Sequence, residues 1–163
     1  MEVRFPRGTI APALGTPPEE PAPSPSSATA RRARLLITDD EPMLLRSLEE
    51  TLAHEHDVVA ALGGAAALAI LATDRAFDLV ICDLHMPHVD GVAVHDWIAA
   101  TAPELLPRVL VMTGGSVTPR ATQFLATARP RVLPKPIDVD ALLRIAHEVT
   151  GARVSDDGSR TGD

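Results

Sequence analysis

A run of four apolar residues, Leu79-Val80-Ile81-Cys82, stops at a carboxylate, Asp83. An unbroken run with two β-branched residues predicts a strand buried on both faces, the kind found inside a parallel sheet. A buried strand that ends on a charge needs something to compensate that charge, because a desolvated carboxylate is costly. The loop that follows carries a stiff Met86-Pro87 step and an Asp90-Gly91 turn. The chain therefore places an acidic group at the carboxyl end of a central strand, where open parallel sheets bind ligands.

The same pattern recurs along the sequence. Leu35-Leu36-Ile37-Thr38 predicts a first strand that ends on Asp39-Asp40-Glu41, and Pro42 suits the first position of a helix carrying Leu45, Leu48 and Leu52 inward. Asp57 to Ala60 predicts a second strand, and Ala65 to Ala72 a helix with Leu68 and Leu71 inward. After the strand at 79–82, Val92 to Ala100 predicts a helix with Val94 and Ile98 on one face. Val109 to Met112 predicts a fourth strand, ending on Thr113-Gly114-Gly115, and Pro119 opens a helix to about Ala128. Arg131 to Pro134 predicts a fifth strand, followed by Lys135-Pro136 and a last helix marked by Val139, Leu142, Leu143, Ala146 and Val149. Five alternations of strand and helix predict an α/β fold, a three-layer α/β/α sandwich around a parallel five-stranded sheet.

Composition narrows the function. Only 2% of residues are aromatic and none is Tyr, so the core must be aliphatic. A formal net charge of -7 argues against direct nucleic-acid binding, which needs a cationic surface. One cysteine, Cys82, excludes an internal disulfide and fits a reducing, cytoplasmic setting. The start has no apolar core of a signal peptide, and the longest uncharged run, Val58 to Thr73, is too short and too Gly-broken to span a membrane. Residues 1–33, rich in Pro, Ala and Ser, predict a disordered linker in which Glu2 to Pro6 could be a remnant strand. Residues 34–150 form the expected domain, and 151–163 a disordered tail with no output domain after it.

In a parallel sheet the ends of the first, third, fourth and fifth strands lie at one edge. Asp39, Asp40, Asp83, Thr113 and Lys135 should therefore meet there. Three carboxylates crowded together tolerate one another if a divalent cation sits among them, and hard oxygen ligands suit Mg²⁺. A hydroxyl and an ammonium beside it suit the oxygens of a phosphoryl group, with Asp83 as the nucleophile that forms an acyl phosphate. Taken singly, each residue has a plainer role. Asp39 and Asp40 could cap the first helix, Thr113 could simply end a strand, and Lys135 could be a solvated lysine. Glu41 and Asp90 read as caps or turn formers, Trp97 as partly buried packing, and His54, His56, His95 and His147 as surface residues. A transition-metal site on Cys82, Asp83, His85 and His88 is disfavoured, because strand alternation sends Cys82 away from Asp83.

On Asp39-Asp40-Glu41, Asp83 to Gly91, Met112-Thr113-Gly114 and Lys135-Pro136, in that order, the chain resembles the receiver domain of two-component response regulators from about Arg34 to Thr150. The resemblance implies a flavodoxin-like strand order 2-1-3-4-5 and a cis Lys135-Pro136 bond. It implies that Asp83 accepts phosphate from a histidine kinase or a histidine phosphotransfer protein. Asp40, Asp83 and the backbone carbonyl of His85 would bind Mg²⁺, with Asp39 acting through water, and Thr113 and Lys135 would contact the phosphoryl oxygens. It implies no direct membrane contact, and a homodimer is compatible with it. One position departs: Val132 stands where the family usually carries Tyr or Phe, so the aromatic switch is absent. The chain could be a stand-alone regulator or the receiver of a hybrid histidine kinase. The competing readings are a pseudo-receiver that acts only as a protein-binding module, and an aspartyl-phosphate phosphohydrolase. The latter's Asp-x-Asp signature does not match Asp39-Asp40-Glu41.

Overall fold

The computed structural model describes residues 32–156. The expected linker, with its remnant strand at Glu2 to Pro6, lies outside the described residues except for Arg32 and Ala33. Those two belong to the fold. Ala33 is fully buried, and the Arg32 guanidinium donates to the carbonyls of Ala53 and His56 and to the Asp57 carboxylate.

Five strands alternate with five α-helices: β1 (Arg34–Asp39), α1 (Pro42–Leu52), β2 (Asp57–Leu62), α2 (Gly64–Thr73), β3 (Leu79–Asp83), α3 (Gly91–Thr101), β4 (Val109–Thr113), α4 (Pro119–Ala128), β5 (Arg131–Pro134) and α5 (Val139–Asp156). All pairings are parallel and the order is β2-β1-β3-β4-β5, as expected. A short 3₁₀ turn at Pro103–Arg108, absent from the sequence reading, closes the α3–β4 connection and buries Leu105.

Side-chain alternation sorts the core into two layers. Leu36, Val80, Cys82 and Val111 face α2, α3 and α4. Leu35, Ile37, Leu79, Ile81, Leu110 and Met112 face α1 and α5. β3 is buried at all five positions, which explains why its sequence is a continuous apolar run rather than an alternating one. Local chemistry sets the helix starts. Asp90 Oδ1 accepts from Ala93 N–H at 2.7 Å at α3, and Thr118 Oγ1 accepts from Ala121 N–H at α4, with Pro119 next to it.

Two expectations change. The last helix continues through Gly151 to Asp156, past the point where the sequence reading began a disordered tail. A single Gly weakens a helix by about 1 kcal/mol relative to Ala but does not stop it as Pro would. His56, expected on the surface, is 2% exposed. It sits between the end of α1 and the start of β2, beneath α5, and its Nδ1 accepts from Ala33 N–H at 3.4 Å. Burial, and secondarily the neighbouring His147, holds its imidazole below the ordinary pKa.

At the start of α3, Gly91 packs directly on the end of β3. A Cβ there would overlap the Asp83 carbonyl oxygen and come within 2.9 Å of Leu84 Cα. Gly115, by contrast, has a φ of +64° and open space around it. Ala normally stabilises a helix relative to Gly by about 1 kcal/mol, but overlap with fixed backbone reverses the sign. We expect Gly91→Ala to destabilise the protein by about 2 kcal/mol. Gly115→Ala should cost about 1 kcal/mol, through the positive φ alone. Urea unfolding of both variants checks this, and a Gly91→Ala as stable as the parent would contradict the packing account.

Candidate functional site

The ends of β1, β3, β4 and β5 open into one cleft, lined by Asp39, Asp40, Glu41, Asp83, His85 and Lys135, with Pro42 and Gly114 at its margin. One carboxylate oxygen from each of Asp39, Asp40 and Asp83 lies within 4.8 Å of the other two. Asp39 and Asp83 are buried and Asp40 is exposed. Each arrives by chain direction. Asp39 closes β1, Asp40 starts the turn into α1, and Asp83 closes β3 opposite Met112 of β4.

Lys135 brings its cation into this acidic set. Its Nζ lies 2.8 Å from Asp39 Oδ2 and 3.3 Å from Asp83 Oδ2. Its backbone is held by a bond from Lys135 N–H to the Thr113 carbonyl, and the Lys135-Pro136 bond is cis. The side chain crosses Gly114 so closely that a Cβ on Gly114 would stand 2.8 Å from Lys135 Cβ. Gly114 is therefore part of the site, because its missing side chain is the space Lys135 uses.

The two buried carboxylates are held differently. Both oxygens of Asp39 are engaged: Oδ1 accepts from Glu41 N–H at 2.8 Å and Oδ2 from Lys135. Asp39 thus organises the start of α1 and anchors the lysine at once. Asp83 shares Lys135 at the longer distance. Burial pushes its carboxyl above the ordinary aspartate pKa, Lys135 opposes that, and Asp39 adds to it. Burial lowers the pKa of Lys135, but its hydrogen bond to Asp39 and the charges of Asp83 and Asp39 outweigh this. The ammonium is held above its ordinary value. One lysine faces three carboxylates, so the cleft is short of positive charge.

The donor set fits a hard divalent cation. Three carboxylates converge, Asp40 lies on the solvent side, and none of the three is a soft ligand. Thr113 stands at the end of β4, partly buried, paired with Pro134. Of the residues expected as caps, Asp90 is one, and its second oxygen takes Arg120 Nη1 at 3.1 Å. Glu41 contributes no side-chain cap and lines the cleft instead. Val132 is 44% exposed on β5, outside both core layers. Cys82 is buried, and burial pushes its thiol pKa well up, so it offers the cleft no thiolate. Among the described residues no helix is long and apolar enough to cross a membrane.

Residues 35–147 match the response regulator receiver domain family. The chain is 36% identical over 112 residues to the response regulator protein FleR of Pseudomonas aeruginosa, covering 68% of this chain and 23% of that protein. It is 32% identical over 130 residues to the sensor protein GacS of Pseudomonas syringae, covering 76% of this chain and 14% of GacS. The match therefore spans less than a quarter of either relative. The fold also superposes on the signal receiver domain of an HD domain-containing protein from Pseudomonas fluorescens. That match has a TM-score of 0.65 and 25% identity, covering 77% of this chain and 99% of that one.

Removing the lysine tests the electrostatics. Lys135→Met should cost about 2 kcal/mol without metal, less than for a fully buried pair because the Lys135 side chain is 24% exposed. The sign with pH follows from Asp83. Its raised folded pKa means that ionising Asp83 disfavours the folded state, so metal-free stability falls as pH rises through that value. Without Lys135 to oppose the burial of Asp83, the total fall is larger. Melting curves should show a larger deficit at about pH 8 than at about pH 5, just above the ordinary aspartate range. An equal deficit at both would contradict the assignment.

Proposed function

The chain belongs to the response regulator receiver domain family, and from that premise we propose that Asp83 is its phosphoacceptor. The observation that carries the reading is the position of Asp83: a buried carboxylate at the end of the central strand, 3.3 Å from the Lys135 ammonium, open to a cleft short of positive charge. A carboxylate oxygen of Asp83 attacks the phosphorus of a phosphohistidine donor. The P–O bond forms as the P–N bond breaks, the electron pair leaves on the imidazole nitrogen, and that nitrogen is protonated. The product is an aspartyl phosphate and a neutral histidine.

Asp40, Asp83 and the backbone carbonyl of His85 would hold Mg²⁺, with Asp39 outside the direct set because both its oxygens are engaged. When bound, the ion offsets the negative charge of the approaching phosphoryl oxygens. Lys135, beside Asp83 Oδ2, would donate to one of those oxygens. The Thr113 hydroxyl, at the end of β4, would serve a second. Gly114 leaves the room that the Lys135 side chain uses to reach the cleft.

The donor is a histidine kinase or a histidine phosphotransfer protein. Likeness to GacS, named a sensor protein, supports attachment to a sensor kinase, and the adjoining coding sequence tests that point. Val132 in place of an aromatic ring, exposed on β5, argues that the phosphorylated state is read out by another route than a ring turning inward.

The full chain incubated with acetyl phosphate or phosphoramidate should take up one phosphoryl group, only with Mg²⁺ present, and Asp83→Asn should take up none. Labelling of Asp83→Asn equal to that of the parent would overturn the assignment. Absence of label from both donors and from a purified histidine kinase would favour a binding module that has kept the cleft without the reaction.

A further inference from the structure

At the opposite end of the sheet, where β1 and β2 begin, a second group of ligating side chains converges. Glu55 and His56 lie in the turn between α1 and β2, and His147 comes across from α5. One carboxylate oxygen of Glu55 and one ring nitrogen from each histidine lie within 4.8 Å of one another. His147 Nε2 and Glu55 Oε2 are 2.7 Å apart, and the two imidazoles meet edge to face with centroids at 5.4 Å.

His56 is the unexpected member. Its ring is buried, its Nδ1 is occupied by Ala33 N–H, and its Nε2 has no hydrogen-bond partner. A buried ring nitrogen without a partner is unusual. While Nδ1 accepts from Ala33, Nε2 carries the ring proton, and Nε2 becomes a metal ligand once that proton moves to Nδ1. Glu55 and His147 are each about half exposed, so an ion from solvent can reach the group. Two imidazoles and a carboxylate are a borderline-soft donor set, unlike the three carboxylates of the cleft, and they suit zinc-class divalent ions rather than Mg²⁺.

We propose that Glu55, His56 and His147 form a second metal site, for a zinc-class divalent ion, which ties α5 to the α1–β2 turn. Tetrahedral bonds of about 2.0–2.1 Å put ligand atoms roughly 3.3 Å apart. The Glu55–His147 pair therefore opens slightly to admit the ion, and the carboxylate and imidazole exchange a hydrogen bond for two metal bonds. Ligation through His56 Nε2 needs the tautomer protonated on Nδ1 and gives up the bond from Ala33, which at 3.4 Å is already long. The fourth position is left to water. Six residues of β1 at about 3.3 Å each separate this group from the acidic cleft, so the two sites are independent in their ligands. The inference does not depend on phosphate transfer at Asp83.

The test is titration of the full chain with Zn²⁺ by calorimetry, and with Co²⁺ by visible absorption. With millimolar Mg²⁺ present to occupy the acidic cleft, one Zn²⁺ should bind per chain and raise the melting temperature, and Co²⁺ should give the intense visible bands of a four-coordinate site. His147→Ala, a change at a half-exposed side chain, should weaken Zn²⁺ binding by about tenfold or more. Glu55→Gln should weaken it as well, and Asp83→Asn should leave it unchanged. Absence of Zn²⁺ binding would overturn the proposal. So would binding that survives His147→Ala, or binding lost in Asp83→Asn, which would place the ion in the acidic cleft.

Discussion

One ammonium group serves two buried carboxylates in this fold, and much of the site's architecture follows from that sharing. Burying an ionised carboxylate is costly unless it is paired and hydrogen-bonded. Lys135 pairs both Asp39 and Asp83 from the end of β5 and can do so only because Gly114 leaves its path clear. The lysine thereby links the ends of β1, β3 and β5 at one cleft, reaching past β4, which lies between β3 and β5. The division is unequal. Asp39 takes the shorter bond and a backbone donor besides, and Asp83 keeps the weaker share. That inequality separates a carboxylate bonded on both oxygens from one less fully paired, although the two residue types are identical.

Much of this was legible in the sequence, for a definite reason. Parallel strands buried on both faces must be continuous apolar runs, and such runs end visibly when a polar residue interrupts them. Leu79 to Asp83 and Leu35 to Asp39 are therefore readable together with the groups that terminate them. The order of the strands was not readable from periodicity alone. It came from family resemblance, and the observed order agrees. Helix starts were readable where a cap residue and Pro coincide, as at Thr118-Pro119.

What escaped the sequence depends on contacts between residues far apart in the chain. Nothing local distinguishes Asp39, bonded on both oxygens, from Asp40 beside it, which points to solvent. The difference is set by a lysine 96 positions away. His56 reads as a surface histidine in a polar stretch, yet it is buried because α5 and Arg32 close over it. Glycines show the same asymmetry. The need for Gly at 91 and 114 is a close approach to β3 and to Lys135, and neither neighbour adjoins it in sequence.

The cleft has one lysine among its carboxylates, and a hard divalent cation would supply the positive charge it lacks. The most direct measurement is the melting temperature of the full chain in chelator and in millimolar Mg²⁺, at constant ionic strength and beside an Asp40→Ala variant. A cation that binds only the folded state raises the melting point in proportion to its occupancy. The account predicts a rise of several degrees for the parent and a much smaller one for Asp40→Ala. A melting curve indifferent to Mg²⁺, or a rise undiminished by Asp40→Ala, would contradict it.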